Sequence, residues 1–226
     1  MEFPVDGVIP RLSEALAHGS AAILVAEPGA GKTTRVPLKL LGSAWLGDKK
    51  IVMLEPRRLA ARAAAKRMAE TLGEEIGATV GYTVRLDRKV TAKTRIEVVT
   101  EGILTRRLQH DPELKDTGLI IFDEFHERSL DGDLGLAFIL DMRQGLREDL
   151  RLLIMSATLD AAKLSEHLQG ASVIQATGRM FPVETRYLGK TTRQTLSADA
   201  CKATQQALLE TKQSILVFLP GEAEIR

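Results

Sequence analysis

Short apolar runs alternate with helical patterns along the first four-fifths of the chain. Apolar runs of this length suit strands that are buried on both faces of a parallel sheet. The strand predictions are Ala21–Ala26, Ile51–Leu54, Ile96–Thr100, Leu119–Phe122, Leu152–Met155 and Ser172–Gln175. The helix predictions are Thr33–Leu41, Leu59–Leu72, Glu101–Gln109, Leu134–Leu146 and Ala161–Leu168. This alternation predicts right-handed βαβ units and an α/β fold with a mainly parallel sheet flanked by helices.

The pattern changes in the last part of the chain. A polar connection is followed by a predicted helix at about 196–211 and an apolar strand, Ile215–Leu219. The chain then stops at what resembles the start of another helix, and one strand with two helical pieces cannot close a hydrophobic core. We therefore predict a domain over residues 1–185, followed by a linker and the first βα element of a truncated second domain over 186–226.

Composition indicates the class of protein and its expected location more clearly than it indicates the activity. Of 226 residues, 44% are hydrophobic, which is enough for a buried core. Lys and Arg total 31 against 30 Asp and Glu, so net charge alone does not indicate a nucleic-acid partner. The single cysteine, Cys201, excludes a disulfide framework within the chain and a cysteine zinc site. Without a signal-peptide pattern or a bilayer-length apolar run, we expect a cytoplasmic location and no membrane partner.

A glycine-rich segment joins the first predicted strand to the next helix. Residues 26–33 (AEPGAGKT) fit G-x-x-x-x-G-K-[ST], except that Ala26 replaces the first glycine. In such a loop, backbone N–H groups and the helix N-terminus bind phosphates, the lysine reaches the β and γ phosphates, and the hydroxyl binds Mg²⁺. The alternative is a plain strand-to-helix turn with a solvent-facing lysine. The predicted nucleotide-binding residues are Pro28, Gly29, Ala30, Gly31, Lys32, Thr33 and Thr34.

Two adjacent acids follow the strand Leu119–Phe122. Asp123 and Glu124 could divide the work of nucleotide hydrolysis, with Asp123 on the metal beside Thr33 and Glu124 on the attacking water. Acids near a helix N-terminus are also common caps, and without the phosphate loop that interpretation would be favoured. With the loop, we predict Glu124, Asp123 and Lys32 as catalytic residues.

Basic and hydroxyl side chains follow two other strands. Arg57 and Arg58 begin a helix on which Arg58, Arg62 and Lys66 share one face, a pattern suited to a phosphodiester backbone. An ordinary solvated surface gives the same pattern. Thr100, Glu101 and Gly102 begin the next helix and could contact a second phosphate through hydroxyl and N–H groups.

Together these segments resemble the DEAH/DExH-box helicases of superfamily 2, in the order of that family's motifs. Within the family, 53–62 and 123–136 are most similar to the bacterial HrpB branch, where Phe125 in place of alanine is expected. The matching segments are 29–34 (GAGKTT), 54–61 (LEPRRLAA), 80–85 (VGYTVR), 100–104 (TEGIL), 123–130 (DEFHERSL), 156–158 (SAT) and 215–225 (ILVFLPGEAEI).

The resemblance implies a RecA-like P-loop NTPase domain that uses ATP and Mg²⁺. It implies that Asp123 and Glu124 serve metal and water, and that Arg67 stacks on the adenine. It also implies that Arg57 and Arg58 contact the backbone of RNA, with DNA left open as a substrate.

The resemblance assigns coupling roles as well. Ser156 and Thr158 would link the nucleotide to the nucleic-acid site, and His126 would link the ATP site to the partner lobe. The family's second-lobe arginines would lie after Arg226, so we expect this chain to bind ATP but to hydrolyse it poorly and not to unwind RNA.

Three rival classes explain less. A GTPase would need D-x-x-G and N-K-x-D segments, yet the chain has no asparagine and no aspartate with glycine three positions on. A P-loop kinase would leave the basic helix and TEGIL unexplained. A non-enzymatic nucleic-acid module would not need both GAGKTT and the adjacent acids.

Overall fold

Apolar, β-branched runs form the centre of an eight-stranded sheet. A computed structural model describes residues 3–158, 161–177, 183–192 and 194–225. The sheet order is β4-β3-β5-β2-β6-β7-β1-β8, and every neighbouring pair is parallel except the antiparallel β3–β4 hairpin. The strands are β1 (Ala21–Ala26), β2 (Lys50–Glu55), β3 (Val80–Val84), β4 (Asp87–Lys89), β5 (Ile96–Thr100), β6 (Thr117–Phe122), β7 (Arg151–Ser156) and β8 (Ser172–Ala176). The α/β prediction with a mainly parallel sheet is confirmed.

Helices cover both faces of this sheet. On one face, Leu16, Leu40 and Met68 pack in a core that contains apolar side chains of α1, α2 and α3. On the other face, Leu104 and Ile139 pack with side chains of the central strands. The helices of this part of the chain are α1 (Ile9–His18), α2 (Lys32–Leu40), α3 (Arg58–Leu72), α4 (Glu101–His110), α5 (Leu130–Gly145) and α6 (Ala161–His167). Two further helices, α7 (Leu196–Glu210) and α8 (Glu222–Ile225), belong to a separate compact unit at residues 180–226. Short 3-10 helices span Pro4–Val8 and Phe125–Glu127.

The strand register brings the ends of β1, β2, β6 and β7 to one edge. Leu54 is paired with Phe122, Phe122 with Ile154, and Val25 with Ser156. The segments that follow these strands therefore begin side by side. This edge is where ligands of parallel α/β sheets bind.

Several elements were not predicted from the sequence. α1 buries Leu12 and Leu16, which lie four residues apart and could have signalled an amphipathic helix. β3 and β4 form a hairpin whose tip residue, Leu86, has φ +65° and is 95% exposed. The hairpin extends the sheet by two strands on the side of β5.

The chain divides into two compact units, residues 1–179 and 180–226. The predicted boundary at 185/186 remains a prediction about domain organisation. In the second unit, the predicted helix forms as α7, but the prediction of a strand at Ile215–Leu219 is wrong. A strand is defined by ladder hydrogen bonds to a neighbour, and no described residue pairs with this segment.

Over the described ranges, none of the helices combines the length and the apolar character that a bilayer crossing requires.

Candidate nucleotide and nucleic-acid site

The glycine-rich loop leaves the carboxyl end of β1 and leads into α2. Gly29 and Gly31 have φ of +81° and +90°, in the left-handed region that favours glycine. A Cβ at Gly31 would also lie 3.0 Å from the Phe3 ring. Backbone bonds hold the loop, since the Ala30 amide donates to the Glu27 carbonyl at 3.1 Å and the Val5 amide donates to the Ala30 carbonyl at 3.3 Å. The N-terminal segment therefore contacts the loop and helps to hold its conformation.

Two direct bonds join this loop to the acids after β6. The Lys32 ammonium donates to Glu124 Oε1 at 2.8 Å, and the Thr33 hydroxyl donates to Asp123 Oδ2 at 2.6 Å. Lys32 and Asp123 are only 4% and 3% exposed. Four of the predicted catalytic and metal-binding side chains thus meet at one point, although about 90 residues separate them in sequence.

The backbone around the acids is fixed by local bonds. The Asp123 amide donates to the Leu54 carbonyl at 3.0 Å, which continues the β2–β6 ladder past the strand end. The Glu124 amide donates to Asp123 Oδ1 at 2.8 Å. Glu124 has φ +48°, a left-handed conformation that costs free energy in a non-glycine residue and directs its side chain toward Lys32.

A third buried acid, Glu55, was not predicted as a site residue. It ends β2, is 2% exposed, and its Oε1 has no hydrogen-bond partner among the described residues. Burial and the neighbouring Asp123 carboxyl raise the pKa of Glu55 to about 9. Burial also raises the pKa of Asp123, while Thr33 and Lys32 oppose that shift. A strand-terminal glutamate before Pro56 was the only sequence signal.

The predicted coupling residues lie beside the acids. His126 Nδ1 is 3.4 Å from Glu124 Oε2 and accepts a 3.4 Å hydrogen bond from the amide of Ala157. Ser156 is fully buried, and its hydroxyl donates to the Thr158 carbonyl at 3.1 Å. A histidine therefore connects the segment after β6 to the segment after β7.

An open cavity of about 450 Å³ adjoins these groups. The methyl groups of Ala60, Ala63 and Ala64 line one side, and their small size leaves room against α3. Arg67 lies farther along the same helix, and its guanidinium is 3.8 Å from a Glu70 carboxylate oxygen. The other lining residues are Thr33, Thr34, Glu55, Pro56, Arg57, Glu124 and Glu127.

The basic face of α3 is divided in the structure. Arg57 pairs with Glu127 at 2.9 Å, so it is tied to the segment after the acids. Arg62 pairs with Asp87 of the hairpin at 2.7 Å and lies over the Tyr82 ring. Arg62 thus holds the β3–β4 hairpin against α3, whereas the exposed Arg58 remains available to a ligand.

The start of α4 lies on the other side of β2. Thr100 precedes the helix in an extended conformation. Glu101 accepts a hydrogen bond from the Ser129 hydroxyl, which also accepts from the Gly132 amide. Gly102 is exposed. Of the three residues that were predicted to contact a phosphate, Glu101 therefore forms a hydrogen bond that joins α4 to the start of α5.

The donor set at Thr33 and Asp123 fits a hard divalent cation. A hydroxyl and a carboxylate oxygen 2.6 Å apart are ligand types that Mg²⁺ prefers, and Mg²⁺ usually takes few protein ligands together with substrate phosphates. No group of three or more His, Cys, Asp or Glu side chains suited to holding a metal occurs in the described part of the chain.

The chain matches a model of the DEAD/DEAH box helicase family over residues 8–167. It is 52% identical to the ATP-dependent RNA helicase HrpB of Escherichia coli over 223 residues, which is 99% of this chain and 27% of that protein. It is 38% identical over 205 residues to a probable ATP-dependent RNA helicase, DHR2, of Saccharomyces cerevisiae, covering 90% of this chain and 28% of that protein.

Solved structures show the same likeness. A crystal structure of the Escherichia coli DEAH/RHA helicase HrpB superposes with a TM-score of 0.92 at 52% identity, covering 99% of this chain and 28% of that one. The RecA-like fold prediction is thereby confirmed. The chain spans about a quarter of the length of the curated relatives described above.

Proposed function

The chain belongs to the DEAD/DEAH box helicase family, and we propose that it is the ATP-binding lobe of an ATP-dependent RNA helicase. One observation carries the proposal. The Lys32–Glu124 and Thr33–Asp123 bonds join the glycine-rich loop to the paired acids at a buried point on the ligand-binding edge of the sheet. A structural turn would not require two acids to converge on its lysine and threonine.

Each side chain has a distinct task in the proposed reaction. The loop amides of residues 28–34 bind the phosphates, and the Lys32 ammonium exchanges Glu124 for the β and γ phosphate oxygens. Glu124, released from Lys32, orients the attacking water and accepts its proton. Arg67 borders the adjoining cavity, where the base would lie against the alanine face of α3.

Mg²⁺ would be held by Thr33 and Asp123 together with the phosphates. When bound, it would neutralise charge that develops on the transferred phosphoryl group. The Thr33–Asp123 hydrogen bond supports this assignment because it keeps both oxygens at one place before any ligand enters.

RNA would lie across the same edge, and DNA is an open alternative. Arg57 and Arg58 at the start of α3, and Thr100 and Gly102 at the start of α4, would contact the phosphate backbone. Glu101 would act indirectly, by fixing α4 against Ser129. The bond from the Ala157 amide to His126 supports a path from Glu124 to Ser156 and Thr158.

Two parts of the proposal concern the whole protein. A second lobe in the same polypeptide would supply the arginines that complete phosphoryl transfer, so turnover by this chain alone would be weak. We also propose a cytoplasmic location, with which the one exposed thiol, Cys201, is compatible.

Titration with fluorescent ATP and GTP analogues, and then with labelled RNA, tests the proposal. We expect ATP to bind in preference to GTP. For RNA, the combined Arg57→Ala and Arg58→Ala substitutions should weaken binding and make its salt dependence shallower by about 0.7 in slope per lost contact. Arg11→Ala removes an exposed arginine on α1 and serves as the matched control. If the salt dependence of RNA binding is unchanged in the double variant, as it should be in Arg11→Ala, the start of α3 does not contact RNA and is ordinary solvated surface.

A further inference from the structure

Glu55 is a buried acid to which the proposed reaction gives no task. It is the last residue of β2 and is 2% exposed. Its Oε1 accepts no hydrogen bond from any described residue. Buried carboxyl oxygens are normally hydrogen-bonded, because an unsatisfied one destabilises the folded protein. A donor from outside the chain would therefore be favoured at this oxygen.

The donors nearest to Glu55 are engaged by other acids. The Lys32 ammonium donates to Glu124 at 2.8 Å. The hydroxyl hydrogen of Thr33 is directed to Asp123, at an oxygen–oxygen distance of 2.6 Å. The Glu124 amide donates to the other oxygen of Asp123. The phosphate loop and the acids after β6 thus satisfy one another, whereas Glu55 Oε1 is left without a donor among the described residues.

Glu55 lies beside the proposed magnesium site. Leu54 is paired with Phe122 in the parallel ladder. Glu55 and Asp123 therefore follow at neighbouring positions, where side chains point to the same face of a sheet. The Asp123 carboxyl is within hydrogen-bonding reach of the Glu55 carboxyl, and Glu55 lines the same 450 Å³ cavity as Thr33. A cation at Thr33 and Asp123 would lie close to Glu55.

The arrangement favours contact through water rather than direct coordination. Within the described part of the chain, no three His, Cys, Asp or Glu side chains converge closely enough to hold one metal ion together. Mg²⁺ usually keeps several waters and takes one or two carboxylates together with substrate phosphates. A water on the ion donates hydrogen bonds, and a carboxyl oxygen accepts them. Such outer partners orient the ligands of a metal site and change its affinity.

The sheet order separates this position from that of Glu124. β2 lies on the side of β6 away from β7 and β1. Glu124 is bonded to Lys32 of the phosphate loop, which follows β1. Glu55 therefore approaches Asp123 from the side away from that loop. This position suits the shell of the ion rather than the attacking water.

We propose that Glu55 is a positioning residue for the magnesium ion, with its Oε1 accepting a hydrogen bond from a water of the ion's coordination shell. This rests on the proposed function, since it concerns the same nucleotide site. The contact would hold the ion against Asp123 without adding a direct ligand. Its consequence is that Glu55 governs how strongly Mg²⁺ supports ATP binding, and not how strongly the chain binds ATP without the ion.

Titration of the chain with a fluorescent ATP analogue, in excess Mg²⁺ and again in EDTA, tests the inference. Glu55→Leu removes both carboxyl oxygens and should lower the affinity measured in Mg²⁺ by about tenfold to hundredfold. The affinity measured in EDTA should be unchanged, which also shows that the variant is folded. Glu55→Gln should retain the affinity in Mg²⁺, because its amide oxygen can accept the same hydrogen bond.

A second variant and a matched control accompany these measurements. Glu55→Asp keeps a polar side chain but withdraws the carboxyl by one methylene, so it should lower the affinity in Mg²⁺ and not in EDTA. Glu97 is a buried acid of β5 that already accepts hydrogen bonds from Thr83 and Arg107. Glu97→Gln should therefore keep the wild-type ratio of the two affinities. With Mn²⁺ in place of Mg²⁺, water-proton relaxation should count equal numbers of waters on the ion in Glu55→Leu and wild type.

Each contrary result identifies what fails. Equal losses of affinity in Mg²⁺ and in EDTA would show that Glu55 supports the nucleotide or the fold rather than the ion. Unchanged affinity of the leucine and aspartate variants in Mg²⁺ would remove Glu55 from the metal site and leave the proposed function standing. An additional water on Mn²⁺ in Glu55→Leu would mean direct coordination instead. If the unmodified chain binds the analogue in neither condition, the proposed function and the inference fail together.

Discussion

Two regions of the sheet's ligand-binding edge differ in how their charged side chains are held: the centre, at the ends of β1 and β6, and the flank, formed by the β3–β4 hairpin and α4. At the centre, Lys32 and Asp123 are almost fully buried and bonded to partners from distant segments. At the flank, Arg85 and Arg106 are exposed and lack partners among the described residues. Buried charge pairs are intolerant of single losses, whereas exposed charges act additively and are screened by salt. Removing one charged group at the centre should therefore cause a large loss of nucleotide binding or turnover. Removing one charged group at the flank should cause only a small change.

The largest effect should come from the lysine of the glycine-rich loop. Lys32→Ala removes a buried ammonium that would contact the phosphates, at a cost of about 2–5 kcal/mol in nucleotide binding. Titration with a fluorescent ATP analogue should show affinity lost by at least about thirtyfold. Lys39→Ala, an exposed lysine of the same helix, is the control. Equal affinity in both variants would remove Lys32 from the site.

Glu124→Gln should separate binding from chemistry. In a polypeptide of the relatives' full length, we expect turnover to fall by about 10²–10⁴-fold, because the amide cannot accept the proton of water. ATP binding should persist. Glu75→Gln, on the exposed segment after α3, should leave turnover unchanged. Normal turnover in Glu124→Gln would refute its assignment as the base.

The partly buried ion pair between Glu97 and Arg107 should affect stability rather than the binding of nucleotide. Arg107 and Thr83 lower the pKa of Glu97 despite its burial. A lowered native pKa contributes stability that is present above the unfolded pKa, near 4.5, and that is lost as pH falls through the native value. Glu97→Gln should cost roughly 1–3 kcal/mol at neutral pH and flatten the acid side of the stability profile.

Urea unfolding of wild type and Glu97→Gln between neutral and acid pH measures this. Glu113→Gln, whose partner Lys115 is exposed, provides a matched control in which little change is expected. Parallel acid profiles in wild type and Glu97→Gln would mean that the pair does not contribute to the pH dependence.

The smallest effect should come from the contact that holds the hairpin on α3. Arg62 and Asp87 are each partly exposed, so their coupling should be about 0.2–1 kcal/mol. A double-mutant cycle with Arg62→Gln and Asp87→Asn measures it. A coupling of several kcal/mol would show that the flank is as rigidly built as the centre.

The sequence predicted the centre of the molecule better than its margins. Apolar runs located the parallel strands because buried strands require them, and the predicted functional segments were located directly after those strands. Glu55 could not be predicted, because an acid at a strand end gives no sign that it will be buried beside another. The β3–β4 hairpin was missed because Val80–Val84 contains glycine and few apolar residues in a row.

In the C-terminal part of the chain, Ile215–Leu219 was apolar enough to predict a strand. Among the described residues, however, this segment forms none of the ladder hydrogen bonds that define a strand. The pattern of apolar residues indicates which side chains could be buried, whereas a strand also requires a neighbouring strand with which to form hydrogen bonds. The tie between Arg62 and Asp87 was unpredictable for a similar reason, since the helix pattern alone placed Arg62 in a uniform basic stripe.

ATP turnover, measured with and without RNA for this chain and for a polypeptide of its relatives' length, tests the central claim most directly. We predict RNA-stimulated turnover in the longer polypeptide, and ATP binding with little turnover in the 226-residue chain. RNA-stimulated turnover by this chain at a comparable rate would contradict the assignment of half an ATP site to it. Absence of RNA stimulation in the longer polypeptide would contradict the proposed helicase function.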